Sequence, residues 1–297
     1  MIYTVTFNPS IDYVLKADSL STADINRAKS EHISAGGKGI NVSVMLARLG
    51  VKNRAFGFLA GFSGRQIEDM LKEETCETDF IYLKSGYSRI NVKIRADKEL
   101  DINANGPVIT ANDFSELLKK LENAQKGDYI VLAGSVPPSL SKKTYGKMIA
   151  CFSEKGIHFV VDTTGDFLKS TLKYRPFLIK PNHHELGDLF SVQIQTEQDA
   201  VKYARRLQQK GARNVLVSRG ENGAMLLDEN QRVYCADAAK GQVIDTVGCG
   251  DAMLAGFLAG FMKDNQYENA FKYAMACGSA TAFSEGLAQR DMLEKYL

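Results

Sequence analysis

The chain of 297 residues is 44% hydrophobic and 24% charged, so it can bury one large core or two modest ones, and nothing in it indicates disorder. A net charge of +2 is too small for a nucleic-acid surface, and any basic site must be a local cluster suited to a small anion. We therefore expect small-molecule partners and no nucleic acid.

The five cysteines are odd in number and widely spaced, and no C-x-x-C pair offers a metal site or a redox dithiol. This usage fits a reducing cytosol. The segment 1–7 has no basic region, and no stretch of the chain approaches about eighteen consecutive apolar residues. We predict a cytoplasmic protein without a signal peptide or a membrane span.

The first predicted element is a buried strand over 2–7, and Asn8–Asp12 is predicted as the loop that leaves its end. Asp12 would then lie at the carboxyl edge of a strand, where open α/β sheets bind ligands. A plain loop aspartate that fixes a turn is an equal alternative. The segment 14–34 shows no clear helix pattern, and a short extended segment is expected after Asn26–Lys29.

A glycine pair opens the first predicted helix. Gly36 and Gly37 precede a broad apolar face that begins at Ile40, and Gly50 closes the helix as its C-cap. The spacing matches neither a Walker A loop nor a dinucleotide-binding turn. A tight helix start without a ligand is the structural alternative.

The segment 88–95 alternates with a period of two residues. One face would carry the apolar residues Ile90, Val92 and Ile94. The other face would carry the polar residues Arg89, Asn91, Lys93 and Arg95. A strand with a basic face suggests a small sheet that covers an anionic ligand. An exposed strand with a solvated charged face is the simpler interpretation of the pattern alone.

The other predicted elements alternate between helix and strand. We expect strands at 54–59, 79–84, 128–133, 157–162, 176–180 and 214–218, and helices at 63–75, 111–124, 141–154, 165–173, 252–263 and 267–283. Two short strands are expected after 218. Regular alternation of this kind predicts an α/β fold with a mostly parallel sheet and helices on both faces.

Three turns that follow predicted strands carry polar groups. Gly134–Pro138 has the composition of an ordinary loop. In Lys180–Glu185 the residues Asn182 and Glu185 have the spacing of a capping box. Ser218–Gly223 ends in Asn-Gly, which is a hairpin-turn signal. Each turn therefore has a structural explanation of its own.

The stretch Val243–Asp251 predicts chemistry most directly. A β-branched segment runs into Gly248-Cys249-Gly250 and then into a helix, so free backbone N–H groups converge beside the carboxylate of Asp251. Such N–H groups suit a transferring phosphoryl group, and the carboxylate can accept the proton of the attacking hydroxyl. A plain turn with Asp251 as helix cap is the alternative.

The position at a helix N-terminus affects two groups of this turn. The helix dipole favours a negative charge there, so Asp251 is expected to be a weak base. The same position can lower the pKa of the Cys249 thiol, which makes sensitivity to oxidants conceivable.

Asp245–Asp251 resembles the C-terminal signature of the PfkB (ribokinase-like) carbohydrate kinases, with Cys249 where alanine is usual, and Gly36–Val42 resembles the N-terminal signature. The similarity extends over essentially the whole chain. It implies a single ribokinase-like domain over 1–297, with a small β-sheet lid formed by segments near 11–34 and 86–105. It also requires the two glycine turns to meet in space.

The resemblance implies an ATP-dependent kinase that uses Mg²⁺. Asp251 would deprotonate a primary hydroxyl, Gly248, Cys249 and Gly250 would hold the transferring phosphoryl group, and Glu185 would order Mg²⁺ on the nucleotide phosphates. The implied nucleotide-binding residues are Lys180, Asn182, Ser218, Arg219, Gly220, Glu221, Asn222 and Gly223. Arg219 stands where an apolar residue is common.

The implied sugar-phosphate site draws on several turns. Asp12 would accept hydrogen bonds from sugar hydroxyls, and three residues of the N-terminal signature would contact the substrate: Gly37, Lys38 and Asn41. Arg89 would bind a phosphate group already on the sugar, with Arg27 as its helper, and Ser135 would donate a hydrogen bond to it. In the family the apolar side of the lid often forms a dimer interface, so a homodimer is possible.

Within the family, Asn8–Asp12 and Gly37–Gly39 resemble the members that act on phosphorylated ketohexoses. Arg89–Lys93 favours fructose 1-phosphate, converted to fructose 1,6-bisphosphate, with tagatose 6-phosphate as the alternative. A non-catalytic sugar-phosphate sensor is a hypothesis of another class. It would require the loss of Asp251 or of the glycine turn, and both are present.

Overall fold

The computed structural model describes all 297 residues. Its strands, in chain order, are β1 (Ile2–Thr6), β2 (Ser10–Lys16), β3 (Ser30–Gly36), β4 (Asn53–Ala60), β5 (Glu77–Thr78), β6 (Ile81–Leu83), β7 (Arg89–Arg95), β8 (Glu99–Ile102), β9 (Tyr129–Ala133), β10 (His158–Asp162), β11 (Leu178–Ile179), β12 (Asn214–Ser218), β13 (Ala224–Leu227) and β14 (Val233–Ala236).

The helices are α1 (Lys38–Arg48), α2 (Gly61–Glu73), α3 (Ala111–Leu121), α4 (Thr144–Cys151), α5 (Gly165–Leu172), α6 (His183–Phe190), α7 (Glu197–Gln209), α8 (Cys249–Asp264), α9 (Tyr267–Ala282) and α10 (Arg290–Tyr296). A short 3₁₀ turn covers Gly220–Asn222. None of the helices combines the length and the apolar character needed to cross a bilayer.

The main sheet has ten strands in the order β14-β13-β12-β11-β10-β9-β1-β4-β5, and β6 pairs with β4. All pairs from β12 to β5 are parallel, as is the pair of β4 with β6. Only β13 and β14 run antiparallel to their neighbours. The predicted α/β fold with a mostly parallel sheet is therefore confirmed.

Helices cover both faces of the main sheet because its central strands are apolar on both sides. In β9, Ile130 and Leu132 belong to a core of 34 buried residues, together with residues of α3, α4 and α7. The alternate residues Tyr129, Val131 and Ala133 belong to a second core of 28 residues with α1, α8 and α9. Side chains of a strand alternate between faces, so one continuous apolar run supplies both cores.

The parallel direction of the central strands brings several loops to one edge. β1, β9, β10, β11 and β12 all end at the same edge of the main sheet. The turns after them include Asn8, Gly134–Ser135, Thr163–Thr164, Lys180–Glu185 and Arg219. This edge is where open α/β sheets bind ligands.

A second sheet of four strands, which we call the lid sheet, has the order β3-β2-β7-β8. The alternation predicted for 88–95 is confirmed, but its polar face is the buried one: Asn91 is 4% exposed and Lys93 is 9% exposed. On the opposite face Ile33 and Ile102 are 48% and 54% exposed. The lid sheet therefore turns its polar side inward.

The prediction that Asn8–Asp12 is a loop at the edge of the main sheet is wrong for its second half. Ser10 begins β2, and Asp12 is its third residue, paired with Ser34 on β3 and Asn91 on β7. Asn-Pro favours a turn locally, whereas the partner strand β7 lies far along the chain. A local pattern cannot show such a non-local pairing.

The glycine turn before the first helix forms as predicted. Gly37 is the N-cap of α1 with a φ of 111°, a region that favours glycine. Gly50 follows the helix with a φ of 74°, as expected of a residue just past a helix C-terminus. The apolar face of α1 packs into the second core, the one with 28 residues, through Val42, Met45 and Leu46.

Candidate active site

A polar cavity of about 330 Å³ opens at the carboxyl edge of the main sheet. Its lining residues are Thr6, Asn8, Gly37, Lys38, Arg89, Gly134, Ser135, Thr163, Thr164, Phe167 and Glu185. They come from the ends of β1, β9 and β10, from the starts of α1, α5 and α6, and from the lid strand β7. Four of the residues implied for the substrate line this cavity, namely Gly37, Lys38, Arg89 and Ser135. The residue implied for the metal, Glu185, lines it as well.

The structure brings the two glycine turns together. Asn41 Nδ2, one turn into α1, donates a hydrogen bond of 2.7 Å to Asp251 Oδ2 at the start of α8. A Cβ added at Gly248 would lie 3.8 Å from the same Asn41 nitrogen, so the turn itself also approaches α1. Gly248 has a φ of 80°, which explains the need for glycine there.

Asp251 is a buried carboxyl group, only 6% exposed. Burial raises its pKa to about 6, and the neighbouring charge of Asp162 adds to this, while Lys180, Lys38 and Asn41 act in the opposite direction. The expectation of a weak base is therefore wrong, because burial and the charge of Asp162 outweigh the two lysines and Asn41. A carboxylate with a raised pKa is a better proton acceptor near neutral pH.

The pKa of Asp251 gives a direct prediction. In the ligand-free protein the carboxyl should be ionised above about pH 6 and protonated below it. We expect ¹³C NMR of labelled aspartate carboxyl carbons to show one resonance with a midpoint near pH 6 that is absent from the Asp251→Asn variant. A midpoint below pH 4 for that resonance would contradict the prediction, because the neighbouring donors would then stabilise the ionised form more than burial disfavours it.

Asp162 is a site residue that the sequence reasoning missed. It ends β10 with no exposed side-chain surface, and Lys38 Nζ donates a hydrogen bond of 2.9 Å to its Oδ1. Burial acts to raise the pKa of Asp162, but Lys180 and Lys38 outweigh it and hold the pKa below its ordinary value. Asp162 in turn raises the pKa of Lys38. A carboxylate at the end of a predicted parallel strand was the available signal.

Glu185 serves two purposes at once. Asn182 N donates to Glu185 Oε2 at 2.9 Å and Glu185 N donates to Asn182 Oδ1 at 2.8 Å, so the predicted capping box is present. The other oxygen, Oε1, lies 4.0 Å from Lys38 Nζ at the cavity. One free carboxylate oxygen suits Mg²⁺ that is held mainly by water and substrate phosphates rather than by a protein cage.

The segment Ser218–Gly223 forms a compact turn beside α6. Ser218 pairs with Asn182 in an isolated bridge, so two of the residues implied for the nucleotide are adjacent. Gly220 and Gly223 both have positive φ, and Glu221 and Asn222 complete the 3₁₀ turn between them. Arg219 Nη1 contacts Glu197 Oε2 on α7 at 3.4 Å, which gives this unusual arginine a structural partner.

Asp12 lies on the inner face of the lid sheet within a network of hydrogen bonds. It accepts from Lys93 Nζ, Asn91 Nδ2 and Ser10 Oγ, each at 2.8 Å. Burial acts to raise the pKa of Asp12, but Lys93 and the two neutral donors outweigh it and lower the pKa. Lys93 and Asn91 are further polar residues of this face, and only the two-residue alternation of β7 pointed to them.

Arg89 lines the cavity and has no acidic side chain as a salt-bridge partner. Its Nε donates to the carbonyl oxygen of Asn8 at 3.0 Å, and it makes no salt bridge, whereas Lys38 and Lys93 are both paired with aspartates. Burial lowers the pKa of Arg89. A half-buried guanidinium without a counter-ion favours the binding of an anion.

Two expectations receive no support from the geometry. Arg27 is exposed on the segment between β2 and β3 and does not line the cavity, because this segment extends beyond the hairpin. Burial, followed by the charges of Asp245 and Asp251, raises the pKa of the Cys249 thiol to about 12. A protonated thiol is a poor nucleophile toward oxidants, so the expected lowering of its pKa is wrong.

Comparison with protein families decides the assignment. The model of the pfkB family carbohydrate kinases matches residues 5–294. The chain belongs to this family. The pfkB signatures identified in the sequence are thus confirmed, as is the expectation of a phosphotransferase that acts on an alcohol group.

Individual pfkB relatives cover the whole chain. It is 42% identical to the 1-phosphofructokinase of Bacillus subtilis (strain 168), over 100% of this chain and 97% of the relative. It is 38% identical to the D-tagatose-1-phosphate kinase of Bacillus licheniformis, over 99% and 97%. The crystal structure of phosphofructokinase-2 from Escherichia coli in complex with substrates and products superimposes with a TM-score of 0.93 at 25% identity, over 99% and 97%.

Proposed function

We propose that the protein is an ATP-dependent kinase that converts fructose 1-phosphate to fructose 1,6-bisphosphate. The observation that carries this proposal is the meeting of the two glycine turns over Asp251, beside a cavity in which Arg89 has no counter-ion. The resemblance of Arg89–Lys93 to the kinases of fructose 1-phosphate and the 42% identity to a 1-phosphofructokinase support the choice of substrate.

The chemistry follows from the position of the groups. Asp251 accepts the proton of the primary hydroxyl as the new O–P bond forms and the bond to the leaving ADP oxygen breaks. The amides of Gly248–Gly250 donate hydrogen bonds to the transferring phosphoryl group, and Asn41 keeps the carboxylate of Asp251 in place. Glu185 would hold Mg²⁺ through its Oε1 atom, and the metal, when bound, would neutralise charge on the nucleotide phosphates.

The second phosphate, already on the sugar, is assigned to Arg89 with Ser135. Both line the cavity, and a planar guanidinium can bind a phosphate dianion with two parallel hydrogen bonds. Asp12 is available to sugar hydroxyls on the inner face of the lid sheet, and Lys38 with Gly37 lines the cavity floor. The nucleotide is assigned to the turns that contain Lys180, Asn182 and Ser218–Gly223, which lie next to one another.

The test is a panel of sugar phosphates assayed with Mg-ATP for ADP release. We expect fructose 1-phosphate to give the largest kcat/KM. Tagatose 1-phosphate is the second candidate, favoured by the 38% identity to a D-tagatose-1-phosphate kinase, and tagatose 6-phosphate remains the alternative from the sequence. Binding of a sugar phosphate without any ADP release would favour the non-catalytic sensor instead.

We also propose that the outer face of the lid sheet binds a second copy of the chain. The strand register places a group of apolar or aromatic residues on this face: Tyr13, Leu15, Ile33, Ile90, Val92, Ile94, Leu100 and Ile102. Glu31, which is opposite Leu15 on the edge strand β3, is the charged residue beside them. No other element of the chain covers Ile33, Leu100 or Ile102, which remain about half exposed. A continuous exposed apolar face of this kind is typical of a protein interface.

The dimer is tested by charge insertion. The double substitution of Ile33→Glu and Ile102→Glu should reduce the molar mass measured by light scattering to that of one chain, 32.7 kDa, because buried unpaired carboxylates are costly. Val233→Glu on β14, at the far edge of the main sheet, is the control and should leave the mass unchanged. A single-chain mass for the unsubstituted protein would contradict the proposal.

A further inference from the structure

Asp162 links the two glycine turns although it belongs to neither. Its Oδ1 accepts a hydrogen bond of 2.9 Å from Lys38, the first residue of α1 after Gly37. Its Oδ2 lies 3.2 Å from the ammonium group of Lys180, which follows β11. The carboxylate is fully buried, and the Lys180 side chain is 5% exposed, whereas the Lys38 side chain is 34% exposed at the cavity. One side chain of β10 thus holds cations from two other elements.

Lys180 lies directly against the second glycine turn. A Cβ added at Gly250 would be 2.8 Å from Lys180 Nζ and 3.7 Å from its Cε. Gly250 has an ordinary φ, so a side chain at this position would meet the Lys180 ammonium group rather than strain the backbone. The ammonium group therefore lies beside the turn whose amides face the transferring phosphoryl group.

The ammonium group of Lys180 has one charged partner in the protein. Its side chain is 5% exposed, and its Nζ lies 3.2 Å from Asp162 Oδ2. An ammonium group carries three N–H donors, and buried donors are nearly always satisfied in folded proteins. The N–H groups of Lys180 that Asp162 does not engage can therefore bind an anion at the Gly250 turn, and two cations share one carboxylate at this point.

We propose that Asp162 is a positioning residue that holds Lys38 and Lys180 on the two sides of the phosphoryl group in transfer. This inference rests on the proposed kinase function. Lys38 faces the cavity that receives the sugar phosphate, and Lys180 lies at the turn that receives the γ-phosphoryl group. Asp162 exchanges no proton, since the proton of the hydroxyl goes to Asp251. Fixed cations of this kind stabilise transition-state charge without reorganisation.

The same arrangement predicts an effect on Asp251. The charged groups that face Asp251 are Asp162 from β10, Lys180 after β11 and Lys38 from α1, and Asn41 donates its hydrogen bond to it. Glu185 from α6 faces Lys38. Removal of the negative charge at 162 leaves the two cations, which favour the ionised form of Asp251. The acid limb of the activity profile should then move to lower pH.

The experiment compares Asp162→Asn with Asp166→Asn, the same change at an exposed carboxylate four residues later, paired only with Lys142 and Lys169. We expect Asp162→Asn to lower kcat for fructose 1-phosphate by roughly a hundredfold, the usual effect of losing one preorganised electrostatic group. KM should change by less than about tenfold, and the acid limb should move down. The phosphate group of the substrate titrates identically in the assays of the two variants, so a difference between their pH profiles comes from the protein.

Two further variants keep the test decisive. Lys180→Met should lower kcat by a similar factor, and the charge-balanced double variant Asp162→Asn with Lys180→Met should stay within about tenfold of either single variant, because residues that act as a unit are not additive. A double variant whose loss in kcat equals the product of the two single losses would overturn the positioning role. A folded Asp162→Asn variant with kcat within threefold of the unsubstituted protein would also overturn it. If melting curves show that Asp162→Asn does not fold, the double variant alone decides: a kcat within tenfold of that of the unsubstituted protein would overturn the positioning role.

The two proposals fail in different ways. Absence of ADP release by the unsubstituted protein with every sugar phosphate would refute the kinase function and this inference together. Full activity of the unsubstituted protein and of Asp166→Asn, combined with an unchanged Asp162→Asn variant, would refute only the role of Asp162.

Discussion

Replacement of Asp251 by asparagine should lower kcat by roughly a hundred- to ten-thousandfold, the usual worth of general-base catalysis. Asparagine has the same shape and can still accept the hydrogen bond of Asn41, but it cannot take up a proton. The affinity for ATP should be nearly unchanged, because the nucleotide is assigned to other turns. The loss should therefore appear in kcat and not in the KM for ATP.

Steady-state kinetics with Mg-ATP and fructose 1-phosphate measure this effect. Asp264→Asn, at the opposite end of α8, is the matched control and should retain full activity because its side chain is exposed. A loss of less than tenfold in Asp251→Asn would remove Asp251 from the role of general base. The position of Asp251 would then serve only to start the helix.

Replacement of Arg89 by methionine is the second large effect. Methionine keeps most of the packing but removes the cavity's cation without an acidic partner, so the phosphate on the sugar loses its main partner. Hydrogen bonds to charged groups contribute about 1.5–3 kcal/mol, which corresponds to a rise in KM of about ten- to a hundredfold. Arg89→Lys should recover part of this, since lysine keeps the charge but not the paired geometry.

The informative readout is the preference for the phosphorylated sugar. The ratio of kcat/KM for fructose 1-phosphate to that for fructose should fall in Arg89→Met, while the value for fructose itself should change little. Arg54→Met on β4 removes an arginine that pairs with Glu77 away from the cavity and serves as the control. An equal loss with both sugars would mean that Arg89 maintains the lid rather than binding phosphate.

The main sheet could be predicted because its strands follow local rules. The segments 128–133 and 157–162 are continuous apolar runs between helical patterns, and both became central parallel strands within a residue of the expected bounds. The helix from Gly37 to Gly50 could be predicted because glycines mark both of its ends. In each case the chain nearby supplies the whole signal.

The lid sheet could be predicted only in part. Its strand β7 has a clear alternation and β3 follows Lys29 where a short extended segment is expected, but β2 lies in a segment without a recognisable pattern and pairs with the distant strand β7. The alternation also did not show which face is buried. The polar face is the inner one because Asp12 neutralises Lys93 across the strands, a contact that no single strand encodes.

The site itself shows the same division. The residues of the two glycine turns were found by their motifs, and their contact through Asn41 and Asp251 is what the resemblance requires. Asp162 was not found, because an aspartate at a strand end has no distinctive spacing. The direction of the pKa shift of Asp251 was also missed, since burial depends on the packing of the whole molecule.

The two-sided lid sheet has a consequence for kinetics. Its four strands carry Arg89 and Asp12 on the inner face and the uncovered isoleucines on the outer face. In the dimer proposed above, a second copy on the outer face would order the strands that shape the cavity, and the fraction of dimer depends on protein concentration by mass action. Specific activity should decline when the enzyme is diluted, although no ligand is removed and no residue is altered. A rate per milligram that varies with dilution would be the kinetic signature of this architecture.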